Sequence, residues 1–542
     1  MPKDDIVKSI PEWIDNDTQL AGGLDLLGLR NVAQSISNYC LNGITTISPQ
    51  VRYLGIRSWI LLMYARCQLP DDYSTFLKFG ARLESAVAIG TLLNNPNMTG
   101  VVGGTKASEI IDKGESLIEP ERLVQQLALN MYTGPSTDLG VAFHRDSGIT
   151  GLTKERGQLL ADAIMEKVKN THIVKKILAT KQVEFYTQEE LLELGIILTI
   201  DNIPLDEREI LLDIVMPKDE GINGWENDIR RIATYTLLLQ QAKESKALPT
   251  VDNFFDRVIN PSHNHKECLD EILDGWLGYL IRDSIAVVHE NTLKVIVDEL
   301  NEVSNKSISR VNAVNTCLNN VNSIISMLKS VELLGDDEDY EELHISDVIN
   351  KIGSAINLKD SDSLFQRWSH LRITEQYLIK EIQSNSVGSI ALLPVVWILS
   401  YFRLNGVIPE DNLLVARLSR GGWGRIGLKE VIFPTIESWK SDNPKFHQVL
   451  ADLLSRTIDQ HVRISWSRMA TDLSKDVSVL KVDGDKIQFR KDFYSGRTAS
   501  RLKETIGWLK QLKLIDKNGL TNDGEDALLR GYNSLSEYYS VN

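Results

Sequence analysis

The hydrophobic pattern along this chain is mainly helical, with short strand pairs predicted near residue 150 and in the last hundred residues. Trp59–Tyr64, WILLMY, marks a core helix, and Arg52, Arg57 and Arg66 read as its basic flanks. Asn94–Gly104, NNPNMTGVVGG, is a loop by composition. Residues 121–132, ERLVQQLALNMY, predict a helix. An apolar turn around Gly134–Gly140 follows, then a short strand pair, then Leu152-Thr153-x-x-x-Gly157 opening another helix. The Thr153 hydroxyl is placed to cap that helix by accepting an orphan amide.

From 171 to 335 the pattern stays helical. Pro204–Asp213 opens one helix, and Arg230, Arg231 and Ala233–Gln240 lie in another, amphipathic one. Leu293, Ile296, Leu300 and Val303 recur at heptad spacing. After a phase break, so do Val311, Val314, Leu318, Val321, Ile325 and Leu328. Each run is short for a coiled coil, so antiparallel helices in a bundle are expected, with an extended docking arm as the alternative. Gly335–Glu342, GDDEDYEE, reads as a solvated linker and a domain boundary. Residues 345–440 are helical, interrupted by Arg420–Gly427, RGGWGRIG, which predicts a tight turn around a buried Trp423. The apolar run Ile390–Phe402 contains Pro394 and falls short of the roughly 20 residues a membrane span requires, so it reads as a buried helix.

The clearest local pattern lies in 441–542. His447–Asp472 is helical, and Val477–Lys481 and Lys486–Arg490 flank an Asp483-Gly484 hairpin turn. Thr498–Leu512 is a helix with Leu502, Ile506 and Leu509 on one face, and Gly519-Leu520-Thr521 precedes a last helix from Asp523. This resembles the second half of a winged-helix domain, in which the helix before the strand pair commonly enters the major groove. The fold expected is therefore mainly α, with winged-helix-like modules carrying small β hairpins. Its divisions are 1–170, an N-terminal helical domain with a winged-helix-like ending; 171–335, a helical middle; 336–440, a second helical domain; and 441–542, a C-terminal winged-helix-like domain.

Charge narrows the functional classes. The chain of 542 residues carries a formal net charge of −15, which excludes a general polyanion binder. Between His461 and Leu520, however, 13 Lys and Arg stand against 7 Asp and Glu, a +6 island in a chain whose remainder sums to −21. Lys486, Arg490, Lys491, Arg497, Arg501 and Lys503 are the candidate nucleic-acid contacts, as phosphate rather than base contacts. The same island also fits protein docking or a solvated face. Cys40, Cys67, Cys268 and Cys317 are scattered, which points to buried thiols in a reducing cytoplasm. The first residues hold no apolar signal-peptide core, so a cytoplasmic protein is expected.

Catalytic patterns fail one by one. Gly100–Ala107 lacks the second P-loop glycine, replaced by Thr105, and Ala107 cannot ligate magnesium. His144-Arg145-Asp146 mimics a kinase catalytic loop without its accompanying motifs. His263, His265 and Cys268 have metal-ligand spacing but no further ligand pair, and a polar loop is the simpler reading. No catalytic residue, metal or cofactor is expected, and no small-molecule substrate or membrane contact is inferred.

Gly22–Arg66, with its "ISPQVRY" stretch before an aromatic apolar helix, is similar to the opening of an uncharacterised bacterial protein family from phage-defence gene clusters. The Leu152–Gly157 ending, Asp206-Glu207-Arg208, Arg230-Arg231, Gln460-His461-Val462 and the Arg501–Leu529 ending extend the resemblance. It implies an antiviral or anti-plasmid role beside ATPases, nucleases or methylases. The sequence of winged-helix-like piece, helical middle and second such piece also resembles the kleisin subunits of chromosome-structuring ATPase complexes. The leading expectation is a non-catalytic DNA-associated scaffold or adaptor subunit of a defence complex, partnered by an ATPase or nuclease. The alternatives are a kleisin-like subunit, a winged-helix transcriptional regulator, and an enzyme with an unrecognised site.

Overall fold

Helix Asp270–Glu302 is buried on nearly every face between Ile272 and Val297, its polar middle included. The computed structural model describes residues 25–218, 225–260, 266–355, 373–384, 387–405, 426–470 and 476–541. The chain is mainly α-helical, with short antiparallel strand pairs and one three-stranded sheet among the described residues. Two units emerge. The first comprises Met1–Ile36, Phe255–Ser262 and Leu273–Thr498, the second Ser37–Phe254, His263–Ile272 and Ala499–Asn542.

In the first unit, the long helix is joined to helices Leu392–Leu404 and Phe446–Met469 through one side chain. His289 Nε2 accepts from Trp397 Nε1 at 3.0 Å, and its Nδ1 lies 2.8 Å from Thr457 Oγ1. The Thr457 hydroxyl donates to the Leu453 carbonyl, so the imidazole proton sits on Nδ1 and the ring is neutral. Leu392–Leu404 is buried as its composition predicted, and no helix among the described residues is long and apolar enough to cross a membrane. The heptad runs are divided among separate helices. They fall on Asp270–Glu302, Arg310–Leu318 and Val321–Ser330, with a break at Asn319-Asn320. Each break rotates the buried face: Ile324, Met327 and Leu328 are buried, whereas Val311 is exposed. No extended arm forms.

The acidic run Gly335–Glu342 lies inside this unit. The Glu338 carboxylate accepts from the Gly335 amide at 2.8 Å and from Lys351 at 2.7 Å, and Tyr340 is buried. A run of carboxylates that finds its own donors has no need to be a spacer. Of Arg420–Gly427, only Ile426 and Gly427 are among the described residues, so Trp423 lies outside them.

In the second unit, helix Tyr53–Arg66 is buried on every face except its last turn. Arg52 and Arg57 are not basic flanks on the surface but fully interior. Arg52 donates to Glu207 at 2.8 Å and to the Ile197 and Thr199 carbonyls, satisfying the open end of helix Gln188–Leu198. Helix Tyr73–Asn94 crosses Gln188–Leu198 at two glycines. A Cβ on Gly90 would meet the Leu191 carbonyl oxygen at 2.1 Å, and one on Gly195 the Gly90 carbonyl carbon at 1.9 Å. Residues 121–127 are not helical, contrary to expectation. Helix begins only at Ala128, because the buried Glu84 carboxylate accepts the Ala128 and Leu129 amides at 2.8 and 3.0 Å.

Both expected winged-helix-like endings lie in this unit, and they share one geometry. Strands Ala142–Phe143 and Gly151–Leu152 pair in the first, Ile515–Asp516 and Gly519–Leu520 in the second. Thr153 and Thr521 each donate their amide across the pair, to Val141 and Leu514, both at 3.1 Å. Each hydroxyl accepts from the amide of a following glycine, Gly157 at 3.1 Å and Gly524 at 3.0 Å. A Cβ on either glycine would lie 2.0 Å from that same carbonyl oxygen. The spacings differ by one residue, Thr-x-x-x-Gly against Thr-x-x-Gly. The first ending absorbs the extra residue as a π turn, Lys154–Gln158.

The two units cut across 441–542. Hairpin Leu480–Phe489, closed at Gly484 (φ +63°), takes Ser307–Ser309 as its third strand in the first unit. Helix Leu502–Gln511, the strand pair and helix Asn522–Val541 belong to the second.

The glycine crossing generates a direct expectation. Gly195→Ala overpacks the contact and destabilises the second unit by about 1–3 kcal/mol in chemical denaturation. Gly134→Ala, with nothing within 4 Å of the added methyl, stays within about 0.5 kcal/mol of the parent. Equal stability of the two variants would contradict the close approach.

Candidate nucleic-acid interface

The six predicted contacts are distributed by what each side chain touches. Lys486, Arg490, Lys491 and Arg497 lie in the first unit, Arg501 and Lys503 in the second. Lys486 pairs in register with Asp483 beside the hairpin turn, and its side chain is exposed. Lys491 is half-buried and Lys503 exposed, on the first turn of helix Leu502–Gln511. Arg490 is ion-paired with Asp476. Burial alone would push the Asp476 carboxyl up; hydrogen bonds from Ser478 and Arg490 hold it below the usual range.

The other two arginines are internal ties. Arg497 Nε donates to Asp283 at 3.0 Å and its Nη1 to Gln376 at 3.1 Å, with the guanidinium over the Phe255 ring at 5.1 Å. Asp283 is fully buried and also accepts the Thr498 amide at 2.8 Å. Arg501 donates to the Ile44 carbonyl at 2.6 Å from a left-handed backbone position (φ +65°), and burial lowers its pKa. Guanidinium groups committed in this way would have to give up their protein acceptors before they could neutralise a phosphate. The +6 island is thus a composition, only part of which faces water.

Arg497 belongs to a strap that the sequence did not reveal. Residues 492–498 lie along the polar middle of the long helix. Lys294 bridges to Asp492 at 3.2 Å, and Tyr279 donates to the Thr498 carbonyl. Arg30 donates to Glu290 at 2.6 Å and to the Gly496 carbonyl at 2.9 Å. Arg282, Asp283, His289, Glu290 and Asn291 are all buried there. The one visible sign is the polar run in the middle of the helix.

A second histidine closes the same unit. His461 Nε2 accepts from the Val479 amide at 3.0 Å, so its proton is on Nδ1, which donates to the Leu26 carbonyl at 3.1 Å. Gln460 donates to the neighbouring Leu27 carbonyl at 2.7 Å. Burial pushes His461 down to about 4 and His289 to about 3, in the latter case with the Arg282 charge adding to it. Both nitrogens of each ring are occupied, so neither is available for proton transfer or as a ligand.

Among the described residues no group of three His, Cys, Asp or Glu is placed to hold a metal ion, and His263 and His265 lie outside them. The second unit carries a groove of about 480 Å³ between helices Leu205–Val215 and Asn522–Val541. Its apolar floor is bracketed by ion pairs Arg208–Asp523 (3.1 Å) and Arg530–Asp213 (2.6 Å), so much of its charge is internally matched.

The histidine geometry has a pH signature. An unfolded histidine binds a proton near pH 6.5, whereas these two resist it until about pH 4 to 3. Their contribution to stability is therefore fully present above about pH 6.5 and lost as the pH falls through about 4 to 3. Long-range nitrogen–proton NMR spectra at pH 5 should show both rings as neutral Nδ1–H tautomers; titration of either near pH 6.5 would contradict the assignment. No protein-family model matches this chain, and neither a curated protein nor a solved structure does.

Proposed function

We propose that this chain is a non-catalytic, DNA-associated scaffold or adaptor subunit of a prokaryotic antiviral or anti-plasmid defence complex, acting in the cytoplasm with an ATPase or nuclease partner. The observation that carries the DNA part of the reading is the division among the six basic residues. The arginines are committed to protein acceptors, while Lys486 and Lys503 point to water. Lys486 stands on a hairpin of the first unit and Lys503 on a helix N-terminal turn of the second, and each is read as a separate phosphate contact. Two lysines and a half-exposed third in an acidic chain support weak, sequence-independent contact, which suits an adaptor better than a regulator that must read bases. The scaffold part rests on the resemblance to defence-cluster proteins and on the paired winged-helix-like endings.

Lys486→Glu, Lys491→Glu and Lys503→Glu together weaken duplex DNA binding and reduce the slope of log affinity against log salt by about 2–3, at roughly 0.9 per phosphate contact. The triple variant keeps the parent's melting temperature, whereas Arg497→Glu lowers it. Unchanged DNA affinity of the lysine triple variant at equal salt would overturn these contacts. A tagged chain should co-purify with an ATPase or nuclease encoded beside it; a strictly solitary monomer would overturn the adaptor reading.

A further inference from the structure

The groove of the second unit is apolar along its floor and charged along its rim. Helix Leu205–Val215 forms one wall and helix Asn522–Val541 the other, with Leu212, Leu512, Leu514 and Ala527 between them. Leu512, Leu514 and Ala527 are buried, whereas Leu205, at the start of the first wall, is 60% exposed. The rim is unevenly matched. Arg208 is held by Asp523 at 3.1 Å and Arg530 by Asp213 at 2.6 Å, and Lys218 reaches the same Asp213 at 3.9 Å. Each cation lining the groove therefore has a carboxylate, but the reverse does not hold. Glu209 on one wall and Asp526 on the other are exposed, and among the described residues neither makes an ion pair.

An apolar strip with an unmatched carboxylate on each side selects a ligand that is apolar along one line and cationic on both sides of it. We infer that this groove docks an amphipathic helix of a partner protein, with leucine-like side chains on the floor and Lys or Arg facing Glu209 and Asp526. Its volume of about 480 Å³ lies within the roughly 300–1,000 Å³ of shaped binding sites, enough for the anchoring side chains of one helix face. The residues that follow Lys218, 219–224 (DEGING), carry two acids and no base, so they do not supply the complementary charge. The inference rests on the adaptor reading in taking a protein as the occupant, and it involves none of the lysines proposed to contact DNA.

The test reads fluorescence anisotropy of a labelled leucine–lysine amphipathic helix, roughly four turns long, and of its leucine–glutamate counterpart. Each is titrated with the full-length parent, with the double variant Glu209→Lys and Asp526→Lys, and with Leu205→Glu. All three substituted side chains are exposed, so both variants keep the parent's melting temperature. The parent binds the lysine helix and not the glutamate helix, and each variant weakens that binding about tenfold or more. A peptide held only by the chain's overall charge of −15 would be little affected by these changes. No binding of the lysine helix by the parent, equal binding of both helices, or undiminished affinity in either variant overturns the groove as a docking site. Co-purification separates this result from the adaptor reading. If parent and variants retain the neighbouring ATPase or nuclease equally, the groove is not the docking face and the adaptor stands. If the peptide binds as expected to a chain that retains neither protein, the groove is supported and the adaptor reading alone fails.

Discussion

A charge withdrawn from water must meet another charge or a full set of hydrogen bonds, and that constraint organises this protein more than any single apolar cluster. In the first unit, Asp283 is buried at the middle of the longest helix and is reached by Arg497 and by the Thr498 amide. That pairing holds the strap 492–498 along the helix and brings Arg30 within reach of both Glu290 and the Gly496 carbonyl. In the second unit Arg52 performs the corresponding task, joining Glu207 to the open carbonyl end of helix Gln188–Leu198.

The same constraint sorts surface from interior among residues that look alike in composition. Arg497 and Lys503 are six positions apart and equally basic, yet one completes a buried carboxylate and the other faces solvent. A lysine on an exposed turn can lend its charge to a phosphate at little structural cost. An arginine fixed between Asp283, Gln376 and the Phe255 ring cannot. The arginine is therefore committed to the protein, and the lysine is left facing water.

Local signals were legible and distant ones were not. Helical periodicity disclosed Tyr53–Arg66 and Leu392–Leu404, and Asp483-Gly484 disclosed a hairpin. Thr153 was recognised as a cap because capping acts over four residues. The third strand of the hairpin, Ser307–Ser309, lies about 170 residues upstream and leaves no mark near it. The partners of Arg52, Arg57 and Arg497 are equally remote, so counting charges could name the island but not its free members. Residues 121–127 carried a helical pattern that lost to a buried Glu84 waiting for the Ala128 and Leu129 amides. The heptad runs likewise failed to continue, because spacing cannot see the break at Asn319-Asn320.

The most direct test of this account is a double-mutant cycle on Arg497 and Asp283, using Arg497→Met, Asp283→Leu and the double variant in chemical denaturation. Each single change strands a buried charge and should cost about 3–5 kcal/mol, while the double variant should recover about 2 kcal/mol or more of their sum. Additivity within about 0.5 kcal/mol would show that the two groups do not depend on each other, and would contradict the claim that Arg497 is an internal tie rather than a contact for an external anion.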